Sequence, residues 1–470
     1  MAEILLTHSN HLYFDPKQVH KMQPYPPLQT LIAASALRER GHSVALFDAT
    51  FKAPGQGLAR AIERHRPSLI AVAEDNFNFL TKMCLVRNRE AAFGYAATAR
   101  AAGIPIVVNG SDAADRVEDY LAHGFDYVIA GELEETLIEL CERGPAGAPG
   151  LSGLCWRDPG GEVRRGAPRR PVPDLSAIPT PAWDLVDIST YREAWISAHG
   201  YFSLNLVSSR GCPYRCNWCA KPIYGGTYRY HPPERIAREM LHLKREYNPG
   251  LIWFADDIFA LSRKWTSEFA DAVERLGAQA PFKMQSRCDL MTRDTVHDLR
   301  RAGCVEVWMG AESGSQRVLD AMEKDIAVSE IRRARENLAA LGIRACLFLQ
   351  FGYPGESWSD IRKTISMVRS VRPDDVGISV SYPLPNTRFH DMVHARNRGK
   401  ANWNDSGDLD IMFQGAYTTR FYRALADALH LEVRNGAACA GEAWRVVTEL
   451  EPVSRNRSSL PPILAHAGAA

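Results

Sequence analysis

Up to Arg143 the chain alternates short apolar runs with stretches of helical periodicity. Residues 4–6, 43–47, 69–73, 105–108 and 127–130 are too short for buried helices and predict strands. Amphipathic stretches at 28–40, 57–66, 91–102, 113–123 and 134–143 predict the helices between them. Strand and helix in strict alternation imply a doubly wound, Rossmann-like parallel sheet with helices on both faces. From Ser203 the same rhythm resumes, with predicted strands at 203–208, 251–255, 282–287, 306–310, 345–351 and 376–381. Helical patterns at 233–247, 264–276, 292–302, 315–321 with 329–341, and 357–371 separate them. Six such units can curl into a partial (β/α)6 barrel, whose ligands sit at the C-terminal ends of the strands.

Between the two alternations the composition turns to Gly, Pro and Arg, as in RRGAPRRPVPDLSAIPTPAW, with a possible short hairpin at 153–163. Proline blocks helix and central strand alike, so this stretch predicts a surface connector. The expected architecture is therefore α/β: a doubly wound domain at 1–143, a linker at 144–200, a partial barrel at 201–390 and a small C-terminal region at 391–470. A disordered tail ending in AHAGAA is expected.

Charge removes some partners. Lys and Arg number 56 against 55 Asp and Glu, so a formal charge of +1 gives no field to draw in nucleic acid or an anionic membrane. No apolar run approaches the ~20 residues of a bilayer span, and the N-terminus lacks a signal pattern, so a cytoplasmic location is expected. Seven of the 10 cysteines stand singly and read as small buried hydrophobes, without the density of a disulfide framework.

Cys212, Cys216 and Cys219 are different. They lie at C-x3-C-x2-C spacing in SSRGCPYRCNWCAKPIYG, a Gly- and Pro-containing loop directly after the first barrel strand. Three thiolates can hold three irons of a [4Fe-4S] cubane and leave the fourth open to a chelating substrate. Zinc would want a fourth ligand, for which His231 is the nearest candidate downstream. An electron-transfer cluster would want a fourth cysteine, and chance buried cysteines would seldom sit in such a loop.

This motif, with aromatic Trp218 before its last cysteine, resembles the signature of radical S-adenosylmethionine (SAM) enzymes, and the likeness runs from Leu206 to about Thr387. The resemblance implies a reduced cluster that cleaves SAM to methionine and a 5′-deoxyadenosyl radical, fed by a reductant such as flavodoxin or ferredoxin. Polar residues at successive strand ends fit that expectation. Asp256 and Asp257 in FADDIF would hold the SAM ammonium. Arg287 in QSRCDL would take its carboxylate, whose two oxygens suit a guanidinium fork. Glu312 and Ser313 in GAESGS, and Gly352 and Pro354 in FGYPGES, would shape the rest of the SAM site.

The first domain resembles the cobalamin-binding domain that precedes the barrel in one radical SAM subgroup, through residues 24–49, IVVNGSD and FDYVIAGELEETLIEL. A corrin would lie outside the carboxyl ends of the strands, on loops after Leu6, Ala73 and Val108, near Asn109, Gly110 and Glu132. The D-x-H-x-x-G sequence that supplies a cobalt-ligating His is not present, since Asp15 to His20 has the wrong spacing. Phe77, Phe79 and Met83 in the long loop 74–89 could pack under a corrin or belong to the core. Tyr224, Tyr228, Tyr230 and Tyr382 could line the gap between domains. The expected activity is methylation of an unactivated carbon of a small molecule, with no nucleic acid as partner. The alternatives are a radical oxidation like that of the anaerobic Mg-protoporphyrin ester cyclase, or a non-catalytic iron-sulfur or corrin-binding protein.

Overall fold

The computed structural model describes residues 3–53, 55–144, 147–396 and 399–455; the predicted disordered tail lies outside them. Five parallel strands form the first sheet: β1 (Ile4–Thr7), β2 (Val44–Phe47), β3 (Leu69–Ala73), β4 (Ile106–Asn109) and β5 (Tyr127–Ile129). Their continuous apolar runs follow from burial on both faces. Leu5, Ile70, Val72, Val108 and Val128 fill one core, while Ile4, Leu6, Ala71, Val107 and Ile129 fill another on the opposite face.

Two further strands extend the sheet, β6 (Leu154–Arg157) antiparallel to β5 and β7 (Val163–Arg165) antiparallel to β6, giving the order β2-β1-β3-β4-β5-β6-β7. The expected linker is thus partly sheet. It also contains the helix Ile188–His199, whose Tyr191 and Trp195 are buried. Trp195 donates to the Pro24 carbonyl at 2.6 Å, and Tyr191 donates to Asp48 and Thr50, both at 2.8 Å. Proline density in this stretch excludes regular structure only locally, and the residues between the prolines are used to join the two sheets.

The second sheet starts with β8 (Ser203–Leu206), followed by a short antiparallel pair, β9 (Ser209–Arg210) with β10 (Arg229–Tyr230). The strands β11 (Leu251–Phe254), β12 (Phe282–Ser286), β13 (Cys304–Glu312), β14 (Arg344–Phe351) and β15 (Asp375–Val380) complete it. All its neighbours pair in parallel in the order β15-β14-β13-β12-β11-β8, and it remains open. One face buries Phe254, Phe282, Met284, Val307, Met309 and Leu347 against the crossover helices. Along the β8 edge runs the segment before Leu28: Tyr25 Oη lies 3.1 Å from Ser203 Oγ, and Asn205 donates to the Pro26 carbonyl at 3.1 Å. At the other edge the helix Thr419–Asn435 packs on β15. The largest core is common to both halves, since Leu28, Leu31, Phe77 and Leu80 belong to the same cluster as the barrel side chains.

Candidate active site: the cysteine loop between the two sheets

The β9–β10 pair closes the chain into a loop that contains all three motif cysteines. Its neck depends on Gly211, at φ +78, where a Cβ would stand 2.4 Å from the Thr227 carbonyl oxygen. Only glycine tolerates both the backbone conformation and that approach. Inside the loop Cys212 N–H donates to the Gly225 carbonyl at 3.3 Å, and Cys219 N–H to that of Cys216 at 3.2 Å. Lys221 donates to the Tyr214 carbonyl.

Asn217, between Cys216 and Trp218, fixes the loop to the barrel. Its N–H donates to the Met322 carbonyl at 3.1 Å, and its amide to the Ala321 carbonyl at 2.8 Å. Its own carbonyl accepts from Phe389 N–H at 3.0 Å, and its side-chain oxygen from Tyr353 at 3.2 Å. No sequence motif singled out Asn217, Lys324 or Tyr353, because their partners are distant in the chain.

All three thiols are free and half-buried. Burial pushes Cys219 up to about 12 against the pull of Lys221, and burial likewise raises Cys212. A metal bound here must therefore displace protons, as thiolate ligation always requires. Cations are at hand: Arg287 lies over the Tyr214 ring at 3.6 Å, and Lys324 stands 6.0 Å from the Trp218 ring. The Trp218 Nε1 donor is buried with no partner among the described residues. Among those residues no three His, Cys, Asp or Glu side chains are gathered for a single ion. Three soft donors on one loop, with an orphan N–H and cations beside them, fit an anionic iron-sulfur cubane, in which each thiolate takes its own iron.

The residues expected to contact SAM lie at successive strand ends of the barrel, and several are engaged with protein. Asp256 is fully buried and accepts from Ser208 N–H at 3.1 Å and from the hydroxyls of Ser208 and Ser209. Burial pushes it up to about 6 despite those donors, so it braces the strand before the cysteines. Asp257 points instead to Lys82 of the first domain. Arg287 donates to the Lys324 carbonyl at 2.8 Å, the Asp325 carbonyl at 3.0 Å and Asp289 at 2.9 Å. Glu312, at φ +56, forms a buried pair with Lys324 at 2.8 Å. Ser313 Oγ accepts from Ser315 N–H at 3.1 Å. Gly352 sits at φ +82 with no room for a Cβ, which would meet Ile411 at 2.5 Å, while Pro354 forms the turn that follows. The Gly352 N–H donates to Glu356 at 2.6 Å, and burial raises that carboxyl to about 8.

On the first domain, the carboxyl ends of β3 and β4 are filled by the chain's own polar groups. Asn109 donates to the carbonyls of Ile129 at 3.0 Å and Gly131 at 2.8 Å, and accepts from Asn76 at 3.0 Å. Gly110 leaves room for Glu74, which a Cβ would meet at 2.8 Å. Glu132 faces the barrel: with Glu134 it forms a buried ion cluster with Arg210 and Arg229, at 3.1, 2.5 and 2.5 Å. Arg210 also lies 5.1 Å from the Tyr224 ring, which stacks on Phe77 at 5.0 Å. Phe77 is thus interdomain core, whereas Phe79 is 48% exposed on the short helix Phe79–Lys82, with Met83 half-buried behind it. The Lys82–Asp257 pair brings that helix near Cys212, whose thiol feels the Asp257 charge. Of the tyrosines singled out, Tyr224 alone bridges the domains by stacking; Tyr382 stacks on Trp403 at 4.1 Å, and Tyr228 and Tyr230 pack together at 5.8 Å.

Residues 206–368 match the Radical SAM superfamily. Over 275 residues the chain is 28% identical to an uncharacterized methyltransferase of Pyrococcus horikoshii, covering 58% of this chain and 59% of that one. It is 24% identical over 267 residues to the anaerobic magnesium-protoporphyrin IX monomethyl ester cyclase of Rubrivivax gelatinosus, covering 55% and 47%. The matched region thus spans about half the length of these curated relatives. The fold is that of the cobalamin-dependent S-adenosylmethionine radical enzyme OxsB, solved with aqua-cobalamin and S-adenosylmethionine. The TM-score is 0.70 at 18% identity, over 91% of this chain and 66% of that one.

Proposed function

We propose that this chain, which carries a radical SAM domain, is an enzyme using a [4Fe-4S] cluster, SAM and cobalamin to methylate an unactivated carbon of a small molecule. One observation carries the reading: the three thiols stand at the strand ends of an open barrel, against a doubly wound domain that shares its core. Bound together, these groups supply an electron, a carbon radical and a transferable methyl, which protein side chains cannot.

The chain's own work is holding and shielding. Cys212, Cys216 and Cys219 would ligate three irons of the cluster, with Arg287 and Lys324, each paired with its own carboxylate, packed on the loop's aromatic rings. Glu312, Ser313, Asp257 and the Gly352–Pro354 turn would border SAM when it binds, while Asp256 positions the loop. Phe79 and Met83 offer the apolar surface for a corrin beside that loop, with Asn109 and Gly110 shaping the strand ends behind it. The Phe77–Tyr224 stack and the Arg210 cluster exclude water between the domains. No described helix is long and apolar enough to cross a membrane, and a reductant such as flavodoxin or ferredoxin would supply the electron.

Likeness to the protoporphyrin ester cyclase supports a second reading, radical oxidation without methyl transfer. Two measurements separate the cases. Anaerobic reconstitution should give three to four irons, by the cluster's stoichiometry, and about one cobalt per chain. Turnover with methyl-labelled SAM should then label the product. Deoxyadenosine without labelled product would favour oxidation, and a loaded cluster that never cleaves SAM would leave only a binding protein.

A further inference from the structure

The barrel sheet has an inner face that the cysteine loop does not use. Parallel register sets Trp253, Lys283, Glu306 and Arg344 in one row near the N-terminal ends of the strands. Phe282 and Met284, on either side of Lys283, are buried against helices at 0% and 1%, so strand alternation turns Lys283 to the opposite face. Nearer the cysteine loop on that same face, Trp308 and Phe348 pack with centroids 5.0 Å apart. Phe348 is 37% exposed although β14 is paired on both sides, so this face is open to solvent.

The charges in the row do not balance. Glu306 accepts from Trp308 Nε1 at 2.8 Å and meets Arg344 at 3.5 Å. Among the described residues Lys283 has no carboxylate at ion-pair distance; its partner is the Tyr25 hydroxyl, whose ring centroid lies 6.0 Å from the ammonium. Burial works to lower the Lys283 pKa, but Tyr25, Glu306 and Tyr201 outweigh it and raise it, so the group stays charged. Lys21 lies close enough for its charge and that of Lys283 to repel, although burial lowers the Lys21 pKa to about 8, whereas Arg434 is already paired with Asp375 at 3.1 Å.

We propose that this inner face binds an amphiphilic substrate by its anionic end, a carboxylate or phosphate on Lys283, with the apolar part laid along Trp308 and Phe348 toward the cysteine loop. Phe348 stands four residues along β14 from Arg344 in the Lys283 row, a separation of about 13 Å that an alkyl chain can span. Anion and apolar surface are then recognised together, by an ammonium that meets a tyrosine hydroxyl but no carboxylate, and by the half-buried Trp308 and exposed Phe348 rings. The inference rests on the reading of this barrel as a radical enzyme's, and names the class of its substrate.

Equilibrium dialysis of dodecanoate, dodecyl phosphate and dodecanol against the anaerobically reconstituted full chain tests it without turnover. At least one anion should bind on the order of 10-fold more tightly than the alcohol, as a charged hydrogen bond would give, and the two anions distinguish carboxylate from phosphate. Lys283→Gln should abolish that preference, Lys283→Arg should keep most of it, and Phe348→Ala should weaken all three probes. Thermal melting identifies any variant that does not fold, and the Lys283→Arg comparison then decides. Equal binding of alcohol and anions, an anion preference that survives Lys283→Gln, or no binding of any probe would overturn the proposal. Methyl transfer is not read here: anion binding without methylation sinks only the earlier reading, and methylation without anion preference sinks only this one.

Discussion

Arg210 can be buried to 1% exposure because Glu132 and Glu134 of the first domain meet its charge. Removing one partner of such a group leaves an uncompensated buried charge, so Glu134→Ala should cost about 3–5 kcal/mol, read as a fall in the urea midpoint. Gly211→Ala should lower iron content per chain after reconstitution, because its Cβ would collide with the Thr227 carbonyl at the loop neck. Glu356 carries a pH prediction. Its folded pKa of about 8 lies above the usual carboxyl value of 4.5, so the folded state binds the extra proton between those limits. Stability should therefore fall as pH rises from 4.5 to 8, and Glu356→Gln, which still accepts from Gly352 N–H, should flatten that slope in melting curves. At this scale the cysteines were legible from their spacing. The duties of Asp256 and Glu132 were not, since a carboxylate reads the same whether it faces a ligand or a serine pair 48 residues away.

Elements were more legible than residues. Every strand expected in the two parallel sheets is present, with ends shifted by at most two residues, because strands buried on both faces leave continuous apolar runs. The 113–123 pattern divides into the helices Ser111–Asp115 and Val117–Ala122 around Arg116. Ile188–His199 escaped because it carries a mixed face in a proline-rich stretch, whereas Thr419–Asn435, which covers the β15 edge, has a clear apolar stripe that was not picked out. Most of the isolated cysteines are buried as expected, but Cys439 is exposed. Asn217 is the cysteine loop's main hydrogen-bonded peg to the barrel, since its bonds run to 321–322, Tyr353 and Phe389. Asn217→Ala should leave the fold intact and loosen the loop. Iron should then pass to a chelator severalfold faster than from the parent, and an unchanged rate would deny Asn217 this role.

Across the whole molecule, the two alternations that looked like separate domains share one core and a buried ion cluster. The connector between them contributes a hairpin to one sheet and buried aromatic side chains to the joint. Heating followed by circular dichroism should therefore show a single cooperative transition; two resolved steps would show that the halves unfold independently. Pattern reading could place each sheet but not their union, because the ions and rings that make it lie far apart in the chain. The Arg210 cluster also bears on how the gene can be cut. A fragment starting at the barrel would expose a row of apolar side chains and carry an arginine deprived of both counter-ions, directly behind the cysteines. Expressed alone it should aggregate, and co-expressing the missing half should return it to the soluble fraction.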